Sequence, residues 1–437
     1  IPNARPDDVI QAIQSRNLEH PAAAPELAAF DPVKVATVQN GQIKVEGVNN
    51  PDWVGLDAYM SSGGYSVLGS IRDGSRSQAS AIAELKESNL RGLGGAGFGA
   101  GKKWDIVSSF DSPRYLVVNL DEGEPGTFKD RNYLERDPHR FLEGLLIAAD
   151  LIDAEKSYIY IRDEYSGGLA ILSQGIGELI KADLVGPDQI EIRRGAGAYI
   201  CGEESALIES IEGKRGEPRQ RPPYVAEKGL FDRPTLVHNF ETLYWVRDIL
   251  ERGASWFTSF GRRGRKGLRS FSVSGRVKSP GVKIAPAGIS LLELVEEFCG
   301  GMLDGHDLYG YLPGGASGGI LPSRLADIPL DFDTLQEHGC FIGSAAVVVL
   351  SQHDTARHAA LNAMEFFVDE SCGQCSPCRL GTDHAARLMR ESFWNIPALD
   401  SLSHVLRDAS ICGLGQAAPN VIDCVRNYFP AEIKDHD

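Results

Sequence analysis

Cys372, Cys375 and Cys378, in ESCGQCSPCRLGT, form the stretch with the most specific chemistry in the chain. Thiolates at this spacing hold a soft metal centre more readily than they pair as disulfides. Three thiolates cannot close a four-ligand site. DASICGLGQAAPN offers Cys412 as the fourth, in a glycine-containing turn whose backbone N–H groups can point at sulfur. A C-x2-C-x2-C run with one distant cysteine suits a 4Fe-4S cluster. Structural zinc, the other reading, more often uses two separated C-x-x-C pairs. Cys201, Cys299, Cys340 and Cys424 are isolated and read as small hydrophobes, with Cys424, twelve residues after Cys412, as the rival fourth ligand.

A second chemical signal is RGLGGAGFGAGKK at 91–103, where Gly92, Gly94 and Gly97 fit G-x-G-x-x-G. A dinucleotide fingerprint needs a strand before the glycines and a helix after them. Helical periodicity precedes this loop and the strand RYLVVNL follows, so the order is wrong. A phosphate-binding P-loop fails on spacing, because Ala96 stands five residues before Gly101 and Lys103 takes the place of Ser or Thr. What remains is backbone able to approach a flat or phosphorylated ligand, with Phe98 to stack and Lys102 or Lys103 to meet an anion. The plain alternative is a glycine-rich surface loop.

Two acidic loops accompany it. In NLDEGEPGTFKDR, Asp121, Glu122 and Glu124 follow a strand directly, the edge at which open α/β sheets bind ligands. A magnesium site or a solvated turn would also explain them. In GAGAYICGEE at 195–204, Glu203 and Glu204 lie where they favour a positive helix end and can accept hydrogen bonds from hydroxyl or ring N–H groups. Simple complementarity to the helix dipole explains them equally. Three ligand-like loops in one region point to a cofactor site more strongly than any one of them.

The elements that must position these residues follow from periodicity. Residues 1–50, rich in Ala, Pro and Asn, read as an irregular leader or the remnant of an upstream module. Residues 51–268 alternate helices and strands, with RYLVVNL, a helix near 138–150, SYIYIR, a helix near 167–182 and QIEIRR, as an α/β domain does. Residues 269–352 break into short β-rich pieces around one helical segment, an α+β module, and residues 353–437 carry amphipathic helices that suggest a bundle. The formal charge of −16 argues against nucleic acid and anionic membrane as partners. No apolar run reaches the roughly 20 residues of a bilayer span. FIGSAAVVVL at 341–350 reads as a buried strand. With no secretory signal at the start, the reducing cytoplasm is the expected compartment. The chain begins at Ile1 rather than Met, which points to a missing upstream segment.

RGLGGAGFGAGKKW, NLDEGEPGTFKDR, GAGAYICGEESAL, RPPY, HNFETL, ESCGQCSPCR and SICGLG, in this order, resemble the family of NADH-binding flavoprotein subunits. That family includes the NADH-binding subunit of respiratory complex I and the diaphorase subunits of NAD-linked hydrogenases and formate dehydrogenases. The resemblance spans about residues 55–430. It implies a Rossmann-like domain binding FMN and NAD(H), a ubiquitin-like β-grasp (SLBB-like) domain, and a C-terminal helical bundle carrying a 4Fe-4S cluster. It places the flavin against Gly92, Gly94, Gly95 and Gly97 with Lys103 near its phosphate. Asn119, Asp121, Glu122, Tyr199, Gly202, Glu203, His238 and Asn239 complete that site. The nicotinamide stacks near Phe98, Glu124 and Glu204 hold polar groups of the dinucleotide, and Tyr224 stacks on its adenine beside Arg221. Cys372, Cys375, Cys378 and Cys412 are then the cluster ligands.

The sequence departs from the family at Leu93, where Arg is usual, at Gly99-Ala100 in place of Pro-Thr, and at Arg221, Tyr224 and His238, where Lys, Phe and Asn are common. These departures bear on the finer nucleotide contacts. DASICGLGQAAPN and a tail containing FPAEI look most like the β subunit of cytosolic molybdenum- or tungsten-dependent NAD+ formate dehydrogenases. That resemblance implies a catalytic α subunit with iron–sulfur clusters as partner, and a small 2Fe-2S subunit or module. A hydrogenase diaphorase and complex I are the alternatives, and a zinc-stabilised nucleotide-binding protein is the alternative of another class.

Overall fold

The computed structural model describes residues 54–433, together with two strands nearer the start, β1 (Lys34–Gln39) and β2 (Gln42–Gly47). These two pair antiparallel, with Gln39 opposite Gln42. The expectation of an irregular leader is therefore corrected over this stretch. The second run alternates polar and apolar residues, and the Asn40-Gly41 dipeptide between the runs is the strongest short-range hairpin signal. The rest of residues 1–50 lies outside the described residues.

The α/β region is a four-stranded, wholly parallel sheet of β3 (Arg114–Leu120), β4 (Ala154–Ile161), β5 (Ile190–Arg194) and β6 (Thr235–Asn239), in the order β5-β4-β3-β6. Leu116, Val117 and Val118 in β3 are fully buried, as a central parallel strand covered on both faces requires. Among the covering helices are α1 (Ala100–Ser108), α2 (Pro138–Leu151), α3 (Ser166–Lys181) and α4 (Glu204–Ile211). In α2, Asp137 caps the first turn by accepting from the Arg140 N–H, and Pro138 occupies a position whose N–H would have no helical partner. The chain winds outward from β3 through β4 to β5 and then returns to place β6 on the other side of β3. The carboxyl ends of β3 and β6 thus form a topological switch point, where such sheets open a crevice.

The second sheet contains β7 (Leu268–Gly275), β8 (Gly281–Pro286), β9 (Leu308–Leu312), β10 (Leu321–Pro322) and β11 (Ala346–Ser351), in the order β10-β9-β11-β7-β8-β1-β2. The apolar run at 341–350 ends in β11, parallel to β7 at the centre of this sheet. Ser290 starts a short helical segment against the sheet with a reciprocal capping box to Glu293.

The C-terminal bundle comprises α5 (Ala356–Asp369), α6 (Ser376–Arg390), α7 (Ile396–Ala409), the short α8 (Gly413–Ala417) and α9 (Asn420–Tyr428). Thr355 and Asn395 cap α5 and α7. The bundle is tied to both other regions. The Tyr199 N–H donates to Glu370 (2.9 Å), Arg215 donates to the Cys372 carbonyl (2.9 Å), and Asn420 donates to the Ser317 carbonyl (3.1 Å).

Candidate functional site

The crevice at the switch point is a cavity of about 860 Å³, and every residue named above for the flavin and the dinucleotide lines it. The glycine loop forms one wall. It is closed by a bridge between Arg91 and Gly99, with the Gly92 N–H donating to the Phe98 carbonyl at 2.7 Å. Gly97 has φ +66°, and a Cβ there would lie 2.5 Å from the Phe332 ring, so any side chain would push the loop off its support. The expected order of elements is corrected here. Helix α1 follows the glycines directly and β3 comes only after it, because the glycine run masks the helical start of AGKKWDIVS. The absence of a preceding strand still separates this loop from a dinucleotide fingerprint. Of the two lysines, Lys103 lines the cavity, bonded to Glu204 at 3.0 Å, and Lys102 is exposed. Leu93 turns into the core, 5% exposed.

The end of β3 supplies the acids. Asn119 donates to the Gly202 carbonyl (2.8 Å) and accepts from the Asp121 N–H (3.0 Å). Asp121 Oδ2 is buried without a hydrogen-bond partner, and burial pushes this carboxyl up to about 7 against the pull of Arg162. Glu122 accepts from the N–H groups of Asp130 (2.9 Å) and Arg131 (3.1 Å) and from the Tyr165 hydroxyl, so its charge caps a helix start. Burial also pushes Glu122 up to about 7. Glu124 is held by three donors, the Tyr199 hydroxyl, the Ser317 N–H (2.8 Å) and the Ser317 hydroxyl (3.1 Å). Burial raises its pKa and these donors oppose the rise.

On the facing wall, Glu203 accepts from the N–H groups of Ser205 and Ala206 (3.0 Å each), which makes it the cap of α4, and it also pairs with Arg221. Glu204 lies 3.2 Å from Arg221. Burial raises its pKa, yet Lys103 and Arg221 together hold the carboxyl below its ordinary value. Phe98 and Tyr224 are exposed for large aromatic side chains, 49% and 60%, at the cavity. His238, at the end of β6, receives the Trp104 indole N–H on Nε2 at 2.6 Å. Asn239 donates to Asp130 at 2.6 Å.

Several cavity residues carry no clear mark in the sequence. Lys129 is fully buried with its ammonium 2.8 Å from both Asp130 and Glu241. Burial disfavours its charge, and these acids outweigh burial and keep it protonated. Lys129 and Asp130 line the cavity, as do Gly314 and Ser317 from the second sheet's loops. The glycine-rich PGGASGG at 313–319 is a usable signal, of the same kind as the first loop.

The cysteines gather beside this cavity. Cys375 caps α6, Pro377 occupies its first turn, and Cys378 is buried on that turn. Cys412 caps α8. A Cβ on Gly415 would lie 3.0 Å from the Cys378 Cβ, which shows how closely the two cysteine loops meet. Burial pushes the Cys378 thiol up to about 11, helped by the charges of Cys375, Cys412 and Cys372 and opposed by the Ser371 hydroxyl. Burial raises Cys412, and N–H groups of Leu414 and Gly415 directed at its sulfur oppose the rise. Cys424, the rival ligand, lies elsewhere, its sulfur 3.4 Å from that of Cys340. Among the described residues, no three His, Cys, Asp or Glu side chains converge as a single ion requires. A 4Fe-4S cluster takes each of four thiolates on a different iron. Gly413, Leu414 and Ala417 line the cavity, so the stretch after Cys412 is a wall common to both sites.

A switch-point crevice walled by glycines, rimmed by acids and backed by four cysteines defines a cofactor-dependent redox protein of the α/β class. The family description "Nuo51 FMN-binding domain" matches residues 85–248, and "NADH-ubiquinone oxidoreductase-F iron-sulfur binding region" matches residues 358–436. An NADH-quinone oxidoreductase subunit of Rhizobium meliloti is 40% identical over 409 residues, which cover 90% of this chain and 97% of the relative. The mitochondrial NADH dehydrogenase [ubiquinone] flavoprotein 1 of Dictyostelium discoideum is 42% identical over 373 residues, 81% of this chain and 78% of the relative. A solved NAD+-reducing [NiFe]-hydrogenase in its H2-reduced state superposes with a TM-score of 0.81 at 32% identity, over 99% of this chain and 73% of that one. The chain belongs to the NADH-binding flavoprotein family, whose cofactors are FMN, a 4Fe-4S cluster and NAD(H). No helix among the described residues is long and apolar enough to cross a membrane.

Proposed function

We propose that this chain is the NAD-binding diaphorase subunit of a soluble, cytoplasmic, multi-subunit formate dehydrogenase, in which electrons from formate reduce NAD+. The observation that carries the diaphorase reading is the common wall, Cys412 preceding directly the cavity residues Gly413 and Leu414. Bound FMN exchanges two electrons with NAD(H) and single electrons with a 4Fe-4S cluster. The protein's own contribution is orientation and exclusion of water. Gly92, Gly94, Gly95 and Gly97 let backbone meet the flavin, and Phe98 and Tyr224 offer flat apolar faces to the nicotinamide and adenine. Glu124, aimed by Tyr199 and Ser317, and Glu204, aimed by Lys103, accept hydrogen bonds from the dinucleotide. Cys372, Cys375, Cys378 and Cys412 hold the cluster through which the partner is reached.

The formate assignment rests on DASICGLGQAAPN and the FPAEI tail, with a molybdenum or tungsten α subunit and a 2Fe-2S subunit or module as partners. The likeness to the NAD+-reducing hydrogenase supports a second reading, in which hydrogen is the electron source. The native complex should reduce NAD+ with formate and leave hydrogen untouched, and the reverse outcome would establish the second reading. Iron and flavin analysis of the purified chain tests the site itself, and a colourless preparation containing zinc would overturn the whole assignment.

A further inference from the structure

We propose that Trp104 fixes the tautomer of His238, placing the ring proton on Nδ1 so that this N–H becomes an uncharged donor to the bound flavin mononucleotide. The inference rests on the FMN reading of the cavity. An indole nitrogen can only donate, and Trp104 Nε1 lies 2.6 Å from His238 Nε2, so that ring nitrogen must be the acceptor. A neutral imidazole that accepts at Nε2 carries its proton at Nδ1. The ring stays neutral because it is 3% exposed and has Lys103 for a neighbour, which together hold its pKa well below the ordinary value. No described residue pairs with Nδ1, and His238 lines the cavity. The lock is rigid on both sides. Trp104 is fully buried on α1, and His238 lies in register opposite Val118 of the central strand. A second positive charge beside Lys103 in this buried place would be costly, whereas a neutral N–H provides direction without charge. Trp104 is thus a positioning residue acting through His238.

The test uses the full chain with its cluster in place and its flavin removed. Nitrogen-15 spectra of the histidine side chains should show His238 as the Nδ1–H tautomer, and Trp104→Phe should move it to the Nε2–H form preferred by free imidazole. FMN titration followed by flavin fluorescence should show Trp104→Phe weakening affinity about fivefold, the worth of one neutral hydrogen bond. His238→Asn, whose amide always presents an N–H, should bind nearly as the wild type and should restore affinity when combined with Trp104→Phe. An Nε2–H signal in the wild type, or a double variant as weak as Trp104→Phe, would overturn the proposal. If Trp104→Phe does not fold, the wild-type spectrum and the affinity of His238→Leu decide, and undiminished binding by His238→Leu is fatal. A wild-type chain that binds no FMN would instead sink the reading of the cavity.

Discussion

The cavity and the cysteine centre sit against one wall, yet they are built in opposite ways. The cysteines come from two turns of one helical bundle, and their environment is hydrophobic burial relieved by backbone N–H groups. The cavity collects carboxylates, lysines and aromatic faces from the α/β region, polar and aromatic groups from the second sheet's loops, and apolar residues from the bundle. Its central acid, Glu124, is aimed by Ser317, 193 residues further along the chain. A single-electron carrier needs only to be held and insulated, so local sequence suffices. A site that orients a flexible dinucleotide over a flavin needs donors from several directions, and no single segment supplies them.

The contrast is sharpest at the cysteines. Cys378→Ser should leave reduction of bound flavin by NADH intact while electron delivery to the partner falls by about a hundredfold or more, measured as stopped-flow flavin reduction against turnover of the complex. Normal delivery would refute that ligand assignment. On the cavity side, Gly97→Ala places a Cβ against Phe332 at positive φ, and overpacking of this kind costs about 2 kcal/mol. The expected loss is more than tenfold in FMN affinity by fluorescence titration. Glu124→Ala removes an acceptor without touching the glycine wall, so FMN content should persist while NADH oxidation by an artificial acceptor slows about tenfold. Unchanged turnover would count against its assigned role.

The smallest effect concerns Asp121. Its folded pKa, about 7, is above the roughly 3.9 of an unfolded aspartate. The folded state therefore binds more protons between these values, and stability from this group is full at low pH and lost as pH rises through 7. In the flavin-free chain, Asp121→Asn should melt a few degrees above the wild type at pH 8, with the gap closing toward pH 4. Glu122 titrates in the same window in both chains, so only the difference curve is diagnostic.

The cysteine set is legible from spacing because metal ligation imposes residue type and interval together. The acids and glycines are legible as candidates, though the chain's order cannot say what each one does. Glu203 and Glu122 line the cavity and also cap helices, which for Glu203 is the expected complementarity to the helix dipole. Ser317 is marked only by the glycine-rich run around it, since a serine in such a loop has no periodicity, and its role exists only once the second sheet docks on the first. Lys129 is hidden by its surroundings in KDR, which reads as solvated charge until Glu241 arrives from the helical turn after β6. The hairpin of β1 and β2 is signalled by Asn40-Gly41 but overshadowed by the Ala and Pro content of its neighbours.

The wall after Cys412 fastens the two regions to each other. Gly413, Leu414 and Ala417, in the helical turn that Cys412 begins, close one side of the cavity. Tyr199, another residue of the cavity lining, is fastened to Glu370, two residues before Cys372. Each cysteine loop therefore has a mooring in the lining of the crevice.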